Sequence, residues 1–168
     1  EELYGKALQD GYREKVFLMT KHHGRSAETA RRHLEDSLRR MKTDVIDLWQ
    51  FHEVIYEDDP DMIFGPGGGI EAAVKAREEG KVRYIGFTGH KSPAILREML
   101  EQGFDWDSVQ MPVNVLDAHF RSFQNEILPD LVERGVAVLA MKTMAAGDAL
   151  DTGAVNAEES LRYVWSLP

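Results

Sequence analysis

Short apolar runs alternate along the chain with longer segments in which apolar residues recur every three or four positions. The short runs are almost continuously apolar, which is typical of strands that are buried on both faces of a parallel sheet. Five strands are predicted in this way, at residues 16–19, 45–49, 82–88, 108–114 and 136–141. The segments between them carry helix-start and helix-stop signals, among them Ser26, Asn156 with Glu159, Gly80 and Gly135. The sequence therefore predicts strand–helix units in strict alternation.

Strict alternation implies a parallel sheet with right-handed crossover connections. Two architectures fit, a doubly wound open sheet and an arc of a (β/α)8 barrel. The barrel is favoured because no strand is followed by the glycine fingerprint of a dinucleotide-binding sheet. It is also favoured because polar residues follow every strand, as expected when all strand–helix loops face one site. These residues are Lys21, His52, Thr88 to His90, Gln110 with Asn114, and Lys142 with Thr143. The predicted fold class is α/β, of the parallel (β/α)8 TIM-barrel type.

The length of the chain is short for a closed barrel. A complete barrel of this type needs about 200 to 250 residues, whereas this chain has 168. Residues 1–8 also read as the end of a helix whose strand is not in the sequence. We therefore expect residues 1–168 to form a single incomplete barrel domain, a fragment whose exposed strand edges favour association.

Composition and charge narrow the range of partners. The net charge of −9 argues against a nucleic-acid groove, which needs a basic surface. No apolar run is long enough to cross a bilayer, and the absence of cysteine excludes disulfide and thiolate chemistry. We expect a soluble cytoplasmic domain that binds neither nucleic acid nor membrane. A single cleft can still be locally basic and bind an anionic cofactor.

Lys21 and His52 are the two strongest candidates for chemistry. Each lies at the end of a predicted strand, and the two strands are consecutive. A lysine there can lower the pKa of a neighbouring acid or bind an anion, although it can equally reach solvent. A histidine there can donate a hydrogen bond to a carbonyl or take part in proton transfer. The barrel interpretation favours the functional role, because it brings both strand ends to the same site.

Three other motifs are interpreted as structural. The glycine-rich stretch 65–69 is predicted to be a flexible loop, because no lysine–serine/threonine pair follows it as in a phosphate-binding P-loop. The acidic stretch 57–61 does not match the calcium-loop pattern, and it is predicted to be solvated. His22-His23 lacks the spacing and the glutamate of a helical zinc motif. The sequence supports no metal site.

Several segments, in order along the chain, share residues and spacing with one known protein family. They are Glu2 to Leu8, Phe17 to Lys21, Leu34 to Leu38 followed by Thr43 to Leu48 and His52, Gly80 to Thr88, and Val109-Gln110 with Asn114. Along essentially the whole chain they resemble the aldo-keto reductase family. The resemblance implies an oxidoreductase that reduces small aldehydes and ketones with NADPH, while a tyrosine protonates the carbonyl oxygen.

The resemblance also implies roles for individual residues. Lys21 and His52 match the family's catalytic lysine, which lowers the tyrosine pKa, and the catalytic histidine, which orients the carbonyl. Thr88 and Gln110 match residues that hold the nicotinamide carboxamide. The residues implied to lie against the cofactor are Met141, Lys142, Thr143, Met144 and Gly147.

The sequence also departs from the family pattern. The family's catalytic aspartate and tyrosine, and the basic loop that binds the cofactor phosphates, have no match in residues 1–168. Thr88-Gly89 replaces the usual serine–asparagine pair, so Gly89 cannot supply an amide side chain. Gly89, His90 and Asn114 are weaker candidates for substrate or cofactor contacts. We expect the isolated chain to be inactive, since losing the general acid costs about 10²–10⁴-fold in rate.

Two alternatives remain open from the residues. Reductase-like barrels also occur as non-catalytic, cofactor-binding subunits, and in that case NADPH would bind without turnover. A Schiff-base lyase or aldolase would also place a lysine at a strand end, with Lys21 or Lys142 as the nucleophile. Trapping of a carbonyl substrate by borohydride would distinguish this class from a reductase.

Overall fold

The computed structural model describes all 168 residues, which form two compact units, Glu1–Phe87 and Thr88–Pro168. Both units combine parallel strands with helices. No helix has both the length and the apolar composition needed to cross a membrane.

The first unit contains three strands that pair in parallel in chain order. Its strands are β1 (Met19–His22), β2 (Ile46–Phe51) and β3 (Val82–Thr88, whose last residue belongs to the second unit). Its helices are α1 (Glu2–Ala7), α2 (Ala27–Met41), α3 (Asp59–Phe64) and α4 (Gly69–Glu78). In the register of the strands, Lys21 lies opposite Gln50, and Gln50 lies opposite Gly86. The middle strand, β2, is buried along its whole length.

Helix α4 begins unusually close to strand β2. A Cβ atom added at Gly69 would lie 2.7 Å from the ring of Phe51 and 2.9 Å from the carbonyl oxygen of Gly24. Only glycine permits this approach, because real Cβ atoms are not found so near their neighbours. The predicted flexible glycine loop is therefore wrong at its end, where Gly68 and Gly69 are buried and start a helix.

The second unit contains two parallel strands. They are β4 (Ser108–Pro112) and β5 (Ala137–Met141), paired so that Gln110 lies opposite Leu139. Its helices are α5 (Pro93–Glu101), α6 (Phe123–Glu126), α7 (Leu128–Arg134), α8 (Asp148–Asp151) and α9 (Ala157–Trp165). Helix α9 begins with the predicted capping box, in which Asn156 and Glu159 each bond the other's backbone N–H. In contrast to β2, no residue of β5 is buried.

The strand predicted at residues 16–19 is placed wrongly. Strand β1 starts at Met19, so Lys21 lies within it rather than after it. Just before the strand, the backbone N–H of Leu18 donates to the carboxylate of Asp47 (2.7 Å) and not to the backbone of a neighbouring strand. Phe17 is exposed and stacks on Tyr84 at a centroid distance of 6.0 Å. The other four predicted strands are confirmed, with ends shifted by at most two residues.

Candidate functional site

Lys21 is the third residue of β1 and projects from the same face of the sheet as Gln50. Registered residues on neighbouring strands share a face, and side chains alternate along a strand. Lys21 is partly exposed. Gln50 is completely buried, and neither its amide nitrogen nor its amide oxygen has a hydrogen-bond partner. Burying an amide without hydrogen-bond partners costs free energy. Gln50 is therefore a further candidate for the functional site, and it is not among the residues predicted from the sequence. The available signal was a glutamine two positions before His52 in an otherwise apolar run.

His52 follows β2 directly and continues its pairing with β1. Its backbone N–H donates to the carbonyl oxygen of His22 (2.7 Å). Its ring is half-buried and lies 4.8 Å from the ring of His23, centroid to centroid, at an angle of 55°. By alternation, Lys21, His23, Gln50 and His52 lie on one face. The structure thus brings the two predicted catalytic residues to adjacent strand ends.

His22 belongs to the opposite face and is structural. It is 2% exposed and stacks on Trp49 at 3.8 Å, with Phe51 at 4.5 Å. Its Nδ1 accepts the Gly24 backbone N–H (3.2 Å), which requires an unprotonated nitrogen. Burial lowers the pKa of His22 well below its ordinary value, and the neighbouring His33 and Arg25 lower it further. The two adjacent histidines therefore differ in kind, one in the core and one at the candidate site.

His23, His52 and Glu53 bring three potential metal ligands together. Their ligand atoms all lie within 4.8 Å of one another. The spacing of His23 from His22 does not indicate this group, because the neighbour of His23 is a histidine that follows another strand. Zinc–ligand distances of about 2.0–2.2 Å would require the ligand atoms to lie about 3.5 Å apart. The side chains would have to move closer together to hold an ion, so the sequence-based expectation of no metal site stays a prediction.

An arginine–aspartate pair holds the loop that carries His52. Arg25 donates from Nη2 to the carbonyl oxygens of His52 (3.0 Å) and Glu53 (2.9 Å), and from Nε to Asp59 Oδ1 (2.6 Å). Asp59 Oδ2 accepts the backbone N–H groups of Ile55 (2.8 Å) and Tyr56 (2.9 Å). The loop between β2 and α3 is thus fixed at both ends by one ion pair.

The prediction of a solvated acidic loop is wrong for Asp59. Asp59 is buried at the start of helix α3. Burial by itself raises the pKa of this carboxyl group, but the bonds from Arg25 and from two backbone amides outweigh burial and leave the pKa below its ordinary value. No local sequence pattern predicts this pair, because its members are 34 residues apart.

In the second unit, Thr88, Gly89 and Gln110 lie together at the ends of neighbouring segments. Thr88 is buried at the end of β3, and the Gly89 N–H donates to the backbone carbonyl oxygen of Gln110 (3.1 Å). The side-chain oxygen of Gln110 is buried and has no hydrogen-bond partner. In the predicted pair Thr88 and Gln110, the side-chain oxygen of Gln110 is therefore an acceptor to which no protein group donates. His90 follows in a partly exposed position.

Asn114 uses its side-chain oxygen within its own loop. The oxygen accepts the backbone N–H groups of Leu116 (2.9 Å) and Asp117 (3.0 Å), and the residue is buried. A role in binding would fall to the amide nitrogen of Asn114, because the oxygen is committed to this turn.

The predicted cofactor segment after β5 forms a series of tight turns. Met141 ends the strand, and the carbonyl oxygens of Lys142 and Met144 accept backbone N–H groups three residues further on, at 2.7 and 2.9 Å. Lys142 is exposed, whereas Thr143, Met144 and Gly147 are partly buried. Gly147 has a φ of 108°, a conformation that favours glycine.

Among these residues, Gln110 offers a hydrogen-bond acceptor that fits a nicotinamide group. A carboxamide carries an N–H₂ donor, and the buried oxygen of Gln110 is an acceptor without a partner. A bound carboxamide would remove the cost of that unsatisfied oxygen.

Comparison with known proteins gives consistent matches. The Aldo/keto reductase family matches residues 1–160. The uncharacterized oxidoreductase YqkF of Bacillus subtilis (strain 168) is 29% identical over 174 residues, covering 96% of this chain and 53% of the relative. The aldo-keto reductase AKR11C1 from Bacillus halodurans, solved in its apo form, is 32% identical with a TM-score of 0.69, covering 87% of this chain and 46% of that one.

An aldo-keto reductase from Klebsiella pneumoniae, solved in complex with NADPH, shares the fold. It is 24% identical with a TM-score of 0.65, and the match covers 86% of this chain and 48% of that one. The chain thus spans about half the length of the relatives that it matches. These relatives are (β/α)8 barrels, which confirms the predicted fold class. The chain belongs to the aldo-keto reductase family.

Proposed function

We propose that the protein is an NADPH-dependent oxidoreductase that reduces small aldehydes and ketones to alcohols. The observation that carries the proposal is the placement of Lys21 and His52 on one face of adjacent parallel strands, at their carboxyl ends. In barrels of this type the carboxyl ends of the strands form the active site. Family membership supports oxidoreductase chemistry at that position.

Lys21 and His52 would contribute to the reduction in different ways. The ammonium group of Lys21 would stabilise the anion of the catalytic tyrosine that the family resemblance implies, which has no match in residues 1–168, and so lower the pKa of that tyrosine from about 10 towards neutrality. His52 would donate a hydrogen bond to the carbonyl oxygen and orient it for reduction. The half-buried ring of His52 and the partly exposed Lys21 are accessible to a substrate.

Thr88, Gln110 and the turn after β5 would contribute cofactor contacts. Bound NADPH supplies the hydride. The Gln110 oxygen would accept a hydrogen bond from the nicotinamide carboxamide, and Thr88 would lie beside it. Gly89 would act indirectly, because its N–H holds the Gln110 backbone. The turn that contains Met141, Lys142, Thr143, Met144 and Gly147 would lie against the cofactor. The Klebsiella pneumoniae relative, which binds NADPH, supports this choice of cofactor.

The test is an assay of the full-length natural protein that contains these residues. Oxidation of NADPH and, separately, of NADH is followed with a panel of aliphatic and aromatic aldehydes, ketones and dicarbonyls. We expect carbonyl-dependent oxidation of NADPH with one alcohol formed per cofactor consumed. Stoichiometric NADPH binding without turnover on the whole panel would instead identify a non-catalytic subunit.

A second arm of the assay tests the Schiff-base alternative. The protein is incubated with each carbonyl compound and with borohydride, and adducts are located by peptide mass. We expect no adduct on Lys21 or Lys142. A trapped adduct on either lysine, together with activity that does not need NADPH, would contradict the proposal.

A further inference from the structure

The ion pair behind His52 has a role beyond the stability of the loop. We propose that Arg25 and Asp59 are positioning residues that fix the His52 ring by holding the backbone on which it is carried. The proposal rests on the proposed function, in which His52 orients the substrate carbonyl. Neither residue contacts the reacting atoms in this account.

Arg25 acts on His52 directly through the backbone. Its Nη2 donates to the carbonyl oxygens of His52 and Glu53, and its Nε bonds Asp59. A guanidinium presents these donors in one rigid plane, so the two carbonyl groups and the carboxylate are fixed relative to one another. The side chains of Arg25 and Asp59 are 15% and 2% exposed, which limits competition from water.

Asp59 fixes the far side of the same loop. Its second oxygen accepts the N–H groups of Ile55 and Tyr56, three and four residues after His52. Between these anchors lies Glu53, a residue other than glycine with a φ of 50°. Such a conformation is sparsely populated for a residue with a Cβ atom, and it persists only where the surroundings impose it. The bond from Arg25 to the Glu53 carbonyl supplies one such constraint.

The position of the His52 ring follows from these constraints. His52 is bounded by its N–H bond to His22 on one side and by its carbonyl bond to Arg25 on the other. Loss of the second bond would remove one of the constraints on the backbone that carries the ring. A displacement of about 1 Å in a catalytic group can lower a rate by about 10²-fold. The pair should therefore affect turnover more than cofactor binding.

The first unit offers a closely matched control. Arg13 and Asp47 form a second buried pair, with side chains 16% and 2% exposed, at the opposite end of β2. Replacement of Arg25 or Arg13 by lysine removes the same planar donor set at comparable burial. The two variants should cost similar stability but only one should affect His52.

The experiment compares Arg25→Lys, Asp59→Asn and Arg13→Lys in the full-length protein. We expect Arg25→Lys and Asp59→Asn to lower kcat by about 10- to 100-fold while the Kd for NADPH stays within about twofold. Arg13→Lys should leave kcat unchanged. Equal losses of kcat in Arg25→Lys and Arg13→Lys, or an unchanged kcat in folded Arg25→Lys, would overturn the proposal.

A second readout does not depend on turnover. The side-chain NMR signals of His52, assigned by comparison with His52→Ala, should shift or broaden in Arg25→Lys and stay in place in Arg13→Lys. If the wild-type protein reduced no carbonyl compound, the proposed function would fail and these signals would still decide the positioning of His52. Unchanged His52 signals in Arg25→Lys would refute it.

Discussion

The two ends of strand β2 carry buried arginine–aspartate pairs of the same composition in different surroundings. At the amino end, Asp47 accepts bonds from Arg13 (2.9 Å), from the Leu18 N–H (2.7 Å) and from Arg83. At the carboxyl end, Asp59 accepts bonds from Arg25 and from two backbone amides of the following loop. In both places these bonds outweigh burial and lower the aspartate pKa.

The difference lies in what each pair holds. The Asp47 network joins residues at the starts of three strands, and none of the residues that bond Asp47 is a candidate catalytic residue. The Asp59 network holds a loop that presents His52 and Glu53 beside His23. In barrels of this class, features at the amino ends of strands contribute to stability, whereas features at the carboxyl ends contribute to function. The same kind of ion pair can therefore serve either purpose, depending on the strand end that it fixes.

The largest effect is expected from Lys21→Met, at the carboxyl end. The variant keeps the aliphatic stem and removes the charge that would lower the pKa of the proton donor. We expect kcat/KM for carbonyl reduction to fall by about 10²–10⁴-fold. Lys75→Met, which removes an exposed lysine from α4, serves as the control and should retain wild-type kinetics. Equal activities of the two variants would remove the functional distinction between the strand ends.

The next largest effect is on stability and concerns Asp47→Asn, at the amino end. Its charged hydrogen bonds are lost, so we expect the free energy of unfolding at pH 7 to fall by about 2–3 kcal/mol. Because the pKa of Asp47 is lowered in the folded state, its contribution is present above pH 4 and is lost as pH falls through the folded-state pKa. Urea unfolding of wild type and Asp47→Asn at pH 7 and pH 3 tests this, because the difference in their free energies of unfolding should be smaller at pH 3. An equal difference at both pH values would contradict the prediction.

A smaller effect is expected from His22, which lies opposite Phe51 at the carboxyl end of β2 but belongs to the helix-facing core. Its folded-state pKa is lowered, so the unfolded chain takes up a proton that the folded chain excludes. Stability should fall as pH drops below about 6.5, by at most about 1.4 kcal/mol per pH unit. His22→Phe keeps the stacking on Trp49 and should flatten this dependence between pH 6.5 and pH 5, whereas the exposed control His119→Gln should not. Unfolding curves at several pH values provide the test.

The smallest effect is expected where an ion pair of the same composition is exposed. Asp36 and Arg39 pair at 2.7 Å on helix α2, with side chains 33% and 74% exposed. Since water and salt screen such pairs, Asp36→Asn should change the free energy of unfolding by less than about 0.5 kcal/mol and should leave kcat unchanged. A loss as large as that of Asp47→Asn would show that burial does not explain the difference among the three pairs.

Features set by local sequence could be predicted, and features set by distant partners could not. The caps at Ser26 and Asn156 are confirmed, because each depends on residues within one helical turn. The adjacency of Lys21 and His52 also followed from sequence, since consecutive parallel strands bring their carboxyl ends together. Their catalytic roles, like the single domain and the cytoplasmic location, stay predictions.

The failures have a common physical cause. The acidic local sequence predicts a solvated loop at Asp59, but its partner Arg25 lies on another strand–helix connection. The spacing of His22 and His23 predicts no metal motif, but alternation sends the two rings to opposite faces and brings His23 to His52. In each case the deciding contact crosses between strands, and single-sequence periodicity carries no information on such contacts.

The catalytic role of the carboxyl end of β2 is tested most directly by the rate of carbonyl-dependent NADPH oxidation by the full-length protein with His52→Ala, measured beside wild type and Arg13→Lys. We expect a loss of about 10²-fold or more in kcat for His52→Ala, with NADPH affinity retained and with Arg13→Lys as active as wild type. A His52→Ala protein that kept wild-type kcat would contradict the claim that the carboxyl end of β2 is the catalytic end.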